Sequence, residues 1–207
     1  MKLYLFGGAE TQLNQAPLLK KQIKDVILSL KPQQIFHVPF ARLHPSEEVW
    51  KEGWFKETMK DSGVEILDAR IEKDILKATN PLIFINGGHG CYDLLNGVRN
   101  DKRILQLILI AEYIVAESAG SKLMGEGQRG GNNEHKIIDG LGILKNTIIE
   151  PHYTERGRQQ LLKDEIKLSG MKYGVGIDSI TALVVDPQEF PAKWEKIGVG
   201  NVDIIST

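Results

Sequence analysis

A serine set among small residues, Ala116-Glu117-Ser118-Ala119-Gly120, is the pattern in this chain best suited to covalent chemistry. The apolar run Ile104-Leu105-Gln106-Leu107-Ile108-Leu109-Ile110 leads through Ala111-Glu112-Tyr113 into a predicted strand ending at Ala116, and Lys122-Leu123-Met124-Gly125 reads as the opening of a helix. A serine at the tip of such a strand-to-helix turn projects its hydroxyl above the sheet, and small neighbours let a substrate backbone approach. Ala116 stands where a G-x-S-x-G elbow has its first glycine. A structural tight turn explains the segment equally well.

A serine hydroxyl is inert at neutral pH until a base takes its proton, so a histidine must lie within hydrogen-bond reach. The chain has five histidines. His152 follows a predicted strand in Ile149-Glu150-Pro151-His152-Tyr153, and His89 follows Gly88 in another strand-end turn. Both would share an edge with Ser118, and both have structural roles open to them. His37 lies within a strand, His44 and His135 in loops. Gly87-Gly88 offers backbone N–H groups with no Cβ in the way, as an oxyanion hole requires, and the N–H of Ala119 would be the second donor. The glycine pair also suits a plain turn. The Gly87-Gly88 turn belongs to neither a G-x-G-x-x-G nor a Walker pattern.

These residues need a scaffold that brings several strand ends to one edge. Leu3–Phe6, Gln34–Phe40, Val64–Leu67, Leu82–Asn86, Tyr113–Ala116, Asn146–Glu150, Gly174–Ile177 and Ala182–Val185 read as strands. Between them, Leu18–Leu30, a segment carrying Trp50, Trp54, Phe55 and Met59, Cys91–Leu95, Ile104–Leu109 and Gln159–Leu168 show helical spacing. Trp194–Ile197 and Val202–Ile205 read as a closing hairpin through Gly198–Asn201, and Gly125–Glu134 as an irregular loop over the site. The alternation predicts an α/β fold, a three-layer sandwich with a mostly parallel central sheet whose strand carboxyl ends bind the ligand.

The 207 residues suit one α/β hydrolytic domain spanning 1–207. A net charge of −1 gives no electrostatic footprint for nucleic acid or an anionic membrane surface. No apolar run approaches the roughly 20 residues of a membrane span, and Met1–Gly8 lacks a signal-peptide pattern, so a cytoplasmic location is expected. Cys91 is the sole cysteine, which excludes an internal disulfide and zinc sites built on several thiolates. No cofactor and no metal are expected. Trp50, Trp54 and Phe55 fit a helix face packed on the sheet better than a homodimer interface.

Five blocks occur in order: Asn86-Gly87-Gly88, Glu117-Ser118-Ala119-Gly120, Gly140-Leu141-Gly142-Ile143-Leu144, Pro151-His152-Tyr153-Thr154-Glu155-Arg156-Gly157-Arg158, and Gly176 through Val184. Together they resemble the S51 peptidases, the family of aspartyl dipeptidase (dipeptidase E) and cyanophycinase, over about residues 82–185. The resemblance implies a fold like that of class I glutamine amidotransferases, with serine in place of cysteine. It implies Ser118 as nucleophile, His152 as its base, and the N–H groups of Gly88 and Ala119 as oxyanion hole. The family's acidic third member lies in the loop after the nucleophile, where Glu134 is the best positional match and Asp139 the next. Family substrates contain aspartate, so His89, Arg156 and Arg158, with Arg129 beside them, become substrate-binding candidates. The chain departs from the common family pattern at His89-Gly90, at Leu161 in place of a third arginine, and at Ser179 in place of an acid.

The leading expectation is a serine peptidase or amidohydrolase acting on a small peptide or amide. Those three departures support an alternative, a catalytically inactive relative that binds or senses. A glutaminase domain feeding a partner ranks last, because that chemistry uses a cysteine at the elbow and Cys91 lies elsewhere.

Overall fold

Alternate residues of the central strands feed two separate apolar clusters, and that alternation fixes the layers. The computed structural model describes residues 1–42, 53–131 and 136–206. In chain order the first half holds β1 (Lys2–Phe6), α1 (Ala16–Ser29), β2 (Gln34–Val38), α2 (Gly53–Met59), β3 (Glu65–Asp68), α3 (Glu72–Lys77), β4 (Leu82–Ile85), α4 (Cys91–Asn100) and α5 (Lys102–Ile110). The second half holds β5 (Tyr113–Glu117), α6 (Ala119–Leu123), β6 (Gly125–Arg129), β7 (Ile137–Asp139), β8 (Leu144–Pro151), α7 (Gln159–Ser169), β9 (Tyr173–Ile177), β10 (Thr181–Val185), β11 (Glu195–Gly198) and β12 (Val202–Ser206).

The first sheet runs β11-β10-β1-β5-β4-β2-β3. From β1 to β3 every pairing is parallel, while β10 and β11 add an antiparallel edge. Leu3 and Leu5 of β1, with Ile83 and Ile85 of β4, join one cluster, which α4 and α5 cover with Leu94, Val98, Ile104 and Ile108. Tyr4 and Phe6, with Leu82 and Phe84, join the other, covered by Leu19, Ile23, Val26 and Ile27 of α1 and Trp54, Phe55 and Met59 of α2. A strand buried on both faces needs apolar residues at successive positions, which is why these strands read as unbroken apolar runs. Pro17 opens α1, and Lys31, with φ 51, followed by Pro32, ends its run.

The expected three-layer α/β sandwich and its mostly parallel sheet are thus observed, with a second sheet added. That sheet runs β12-β9-β8-β6-β7, with β9, β8 and β6 parallel and both edges antiparallel. Its Ile149, Val175 and Ile177 enter the first cluster, while Ile148, with Tyr153 and with Leu162 and Ile166 of α7, forms a third on its far face.

Two readings of the sequence are corrected here. Gly125–Arg129, expected to be irregular, is β6, paired on both sides; its glycines and polar residues carry no alternation, so backbone pairing alone makes the strand. β11 and β12 do not form a hairpin, since β11 pairs with β10 in the first sheet and β12 with β9 in the second. The link between them is held by side chains instead: Asp178 Oδ2 accepts the N–H of Asn201 at 2.8 Å and Thr181 Oγ1 that of Gly200 at 2.9 Å. The short elements α3 and β7 carried too few residues to show a period.

Candidate active site

Ser118 occupies the single residue between β5 and α6, with φ 50 and ψ −110. A non-glycine residue at positive φ costs on the order of 1–3 kcal/mol and persists only where its surroundings over-determine it. Here its N–H donates to Phe6 O at the end of β1 at 2.9 Å, and its carbonyl accepts the N–H of Lys122 at 3.1 Å. A Cβ on Gly87 would lie 2.8 Å from Ser118 Cβ, so the neighbouring turn tolerates no side chain there.

His152 arrives from the second sheet, directly after β8, and also has a positive φ of 51. Its N–H donates to Gly7 O at 3.1 Å, so β1 anchors both residues through successive carbonyls. Gly8, at φ 94, lies where a Cβ would meet the imidazole at 2.6 Å; only glycine permits the ring to lie there. His152 Nε2 is 3.0 Å from Ser118 Oγ, and Nδ1 is 2.7 Å from Glu10 Oε1. The Ser179 hydroxyl lies 3.3 Å from the same Nδ1. Glu10 is buried and accepts from Arg156 Nε at 2.6 Å and from Gln12 Nε2 at 2.9 Å. With Nδ1–H donating to Glu10, Nε2 keeps its lone pair toward the serine.

The electrostatics suit a neutral base. Burial, then the positive charge of Arg156, push the His152 pKa below its ordinary value, and the attraction of Glu10 does not restore it. Burial alone would raise the Glu10 carboxyl, but the hydrogen bond from Arg156, the attraction of the His152 ring when it is protonated, and the Arg156 charge leave it lowered. A hydroxyl–imidazole–carboxylate line of this kind can move a proton off the serine.

Gly88 and Ala119 line the same cavity. The N–H of Gly87 is taken by Glu117 Oε1 at 3.1 Å, whereas among the described residues no acceptor takes that of Gly88 or Ala119. A Cβ on Gly88 would strike Ala41 O at 2.2 Å. Ser118, His152, Gly88 and Ala119 line one cavity of about 290 Å³, whose walls also carry Arg42, Lys122, Arg156 and Arg158.

Of the remaining candidates, His89 is exposed on the cavity wall. Arg156 lines the cavity with its Nε committed to Glu10. Arg158 is buried against Glu150 Oε2 at 3.0 Å and Pro151 O at 2.8 Å, so it braces the His152 turn from beneath. Glu134, like His44, His135 and Trp50, lies outside the described residues. Asp139 is exposed on β7 and pairs with Arg99 at 3.3 Å. His37 is buried against Phe55 and Phe84 with Nε2 2.5 Å from Asn86 Oδ1, and Trp54 and Phe55 are packed into the core. Among the described residues no three His, Cys, Asp or Glu side chains converge as a metal site.

Sequence reasoning missed Glu10. Its signal was positional: it follows Gly7-Gly8 at the carboxyl end of β1, on the edge where Ser118 stands. Also missed was the charged cluster below the cavity. Arg129 bridges Glu150 at 3.0 Å and Glu165 at 2.9 Å, with Lys122 Nζ 4.0 Å from Glu150. Burial, then the neighbouring Glu150, push the Glu165 carboxyl up to about 7. Removing one partner of a buried pair strands the others, so Arg129→Met should cost about 3–5 kcal/mol in urea unfolding; a loss within about 0.5 kcal/mol would contradict this role.

The fold is that of solved peptidases. A crystal structure of a peptidase from an acI-B1 Actinobacterium matches with a TM-score of 0.68 at 19% identity, over 100% of this chain and 96% of that one. A putative peptidase E protein from Listeria monocytogenes EGD-e matches with 0.60 at 16% identity, over 96% and 98%. In sequence the chain is similar to the cyanophycinase of Geminocystis herdmanii, 30% identical over 113 residues, which are 50% of this chain and 40% of that protein. It is also similar to the cyanophycinase of a Nostoc species, 27% identical over 169 residues, or 72% and 55%. The chain thus spans about half the length of the curated relatives it matches. No protein-family model matches it. These likenesses bear out the resemblance to the S51 peptidases drawn from the ordered motifs.

Proposed function

We propose that this protein is a serine peptidase or amidohydrolase of the S51 type that cleaves a small peptide or amide through an acyl-enzyme. The observation that carries the reading is the line from Ser118 Oγ to His152 Nε2 at 3.0 Å and from His152 Nδ1 to Glu10 at 2.7 Å, opening on one cavity. As Ser118 Oγ bonds to the substrate carbonyl carbon, its proton passes to His152 Nε2, and Glu10 stabilises the imidazolium. The N–H groups of Gly88 and Ala119 hold the oxyanion. Collapse breaks the C–N bond, and His152 returns the proton to the leaving amine. Water then repeats the sequence, delivering its proton to His152 and its hydroxyl to the acyl carbon; the C–O bond to Ser118 breaks, and His152 returns the proton to Ser118 Oγ. Glu10 takes the orienting role in this account. The setting is taken as cytoplasmic, where a single unpaired thiol such as Cys91 is ordinary.

The test is amine release from a panel of small peptides and amides, with cyanophycin included because the relatives' name points to it. We expect turnover whose kcat/KM stays flat on the acidic side until below about pH 6.5, the ordinary histidine value, because the base form of His152 persists as pH falls. Arg156→Met removes a positive charge beside His152, raises its pKa and should move that limb upward. An unchanged limb in that variant would contradict the electrostatic assignment, and a panel left uncut would contradict the hydrolase reading.

A further inference from the structure

Glu117 is the least expected residue at this site. A carboxylate directly before the proposed nucleophile, on the cavity wall, would oppose the negative charge that develops on a substrate oxygen. Its surroundings answer that objection. Glu117 Oε1 accepts the N–H of Gly87 at 3.1 Å and an N–H of Arg42 Nη2 at 3.1 Å, with side chains 5% and 15% exposed. Arg42 ends the short turn Phe40–Arg42 beyond β2, and its neighbour Ala41 accepts the N–H of Gly90 at 3.1 Å. The turn of Gly87, Gly88, His89 and Gly90 is therefore gripped at both ends, and Gly88, between the grips, keeps an N–H that no described acceptor takes.

We propose that Glu117 and Arg42 are a pair of positioning residues for the oxyanion hole. Glu117 fixes the peptide turn so that the N–H of Gly88 faces the reacting oxygen, and Arg42 cancels the carboxylate charge that would otherwise oppose that oxygen. The inference rests on the serine-hydrolase reading and assigns a task to two residues that the reading does not need.

The rate at which a fluorophosphonate labels Ser118 is the readout, because the phosphoryl oxygen occupies the oxyanion position as the Oγ–P bond forms and fluoride leaves. Wild type is compared with Glu117→Ala, Glu117→Gln, Arg42→Met and the double variant Arg42→Met/Glu117→Gln. Loss of one oxyanion donor costs about 100- to 1,000-fold, so a misplaced donor should cost Glu117→Ala about 10- to 100-fold. Glu117→Gln keeps an acceptor for Gly87 and should recover most of that loss. Arg42→Met leaves the carboxylate uncompensated and should be slow, and the double variant should be faster than Arg42→Met alone. An Arg42 that served only to contact substrate would give no such recovery. Equal labelling of Glu117→Ala and wild type, or a double variant no faster than Arg42→Met, overturns the pairing while leaving the serine reading in place. Should Glu117→Ala fail to fold, the comparison of Arg42→Met with the isosteric double variant still decides. A wild type that takes no label overturns both.

Discussion

Ser118→Ala should lower hydrolysis by about a millionfold, and His152→Ala by a similar factor, with the two losses far from additive. Nucleophile and base act as one unit, so removing either removes the covalent route, and what survives is catalysis by oxyanion donors and binding alone. Each substitution leaves the scaffold intact by a specific argument. Ser118 is held through its backbone to Phe6 and Lys122, and alanine keeps those bonds. His152 is likewise fixed through its N–H to Gly7. Steady-state rates on any cleaved substrate check the expectation. Full activity in Ser118→Ala would remove the acyl-enzyme from the account.

Glu10→Ala should lower kcat by about 10,000-fold. Loss of the orienting carboxylate removes both the acceptor that fixes the imidazole tautomer and the charge that stabilises the imidazolium. Glu10 Oε1 is the acceptor 2.7 Å from His152 Nδ1, and it is also the partner of Arg156. Glutamine is the less informative change, because Arg156 can only donate and would keep the amide oxygen toward the ring, where it still accepts from Nδ1. Glu134→Ala is the companion measurement, because the family resemblance points there for the acidic member. A loss confined to Glu10→Ala assigns the orienting role to Glu10. A loss of the same size confined to Glu134→Ala would return it to the loop.

The two largest effects were not equally readable in the sequence. Ser118 and His152 announce themselves because strand-end turns with small residues have local signatures, and the five ordered motifs reinforce both. The parallel strands were legible for a related reason: burial on both faces leaves runs such as Leu82-Ile83-Phe84-Ile85 apolar without interruption. Glu10 has no local signature. It reaches His152 across 142 residues only because β1 lies beside β5 and because Gly7-Gly8 lets the second sheet approach. The same holds for Glu117 and Arg42, which meet across 75 residues. The second sheet was half visible, since β8 and β9 read as strands but β6 is glycine and polar and declares itself only by pairing. β11 and β12 misled for the opposite reason. Two short strands around a glycine-rich link look like a hairpin locally, and the partners that separate them, β10 and β9, lie elsewhere in the chain.

The central claim is that Ser118 is an activated nucleophile with His152 as its base, and intact mass after incubation with a fluorophosphonate tests it most directly. The account predicts one adduct on the wild type, mapped to Ser118, and none on Ser118→Ala or His152→Ala. An unlabelled wild type, or equal labelling of all three proteins, would contradict it.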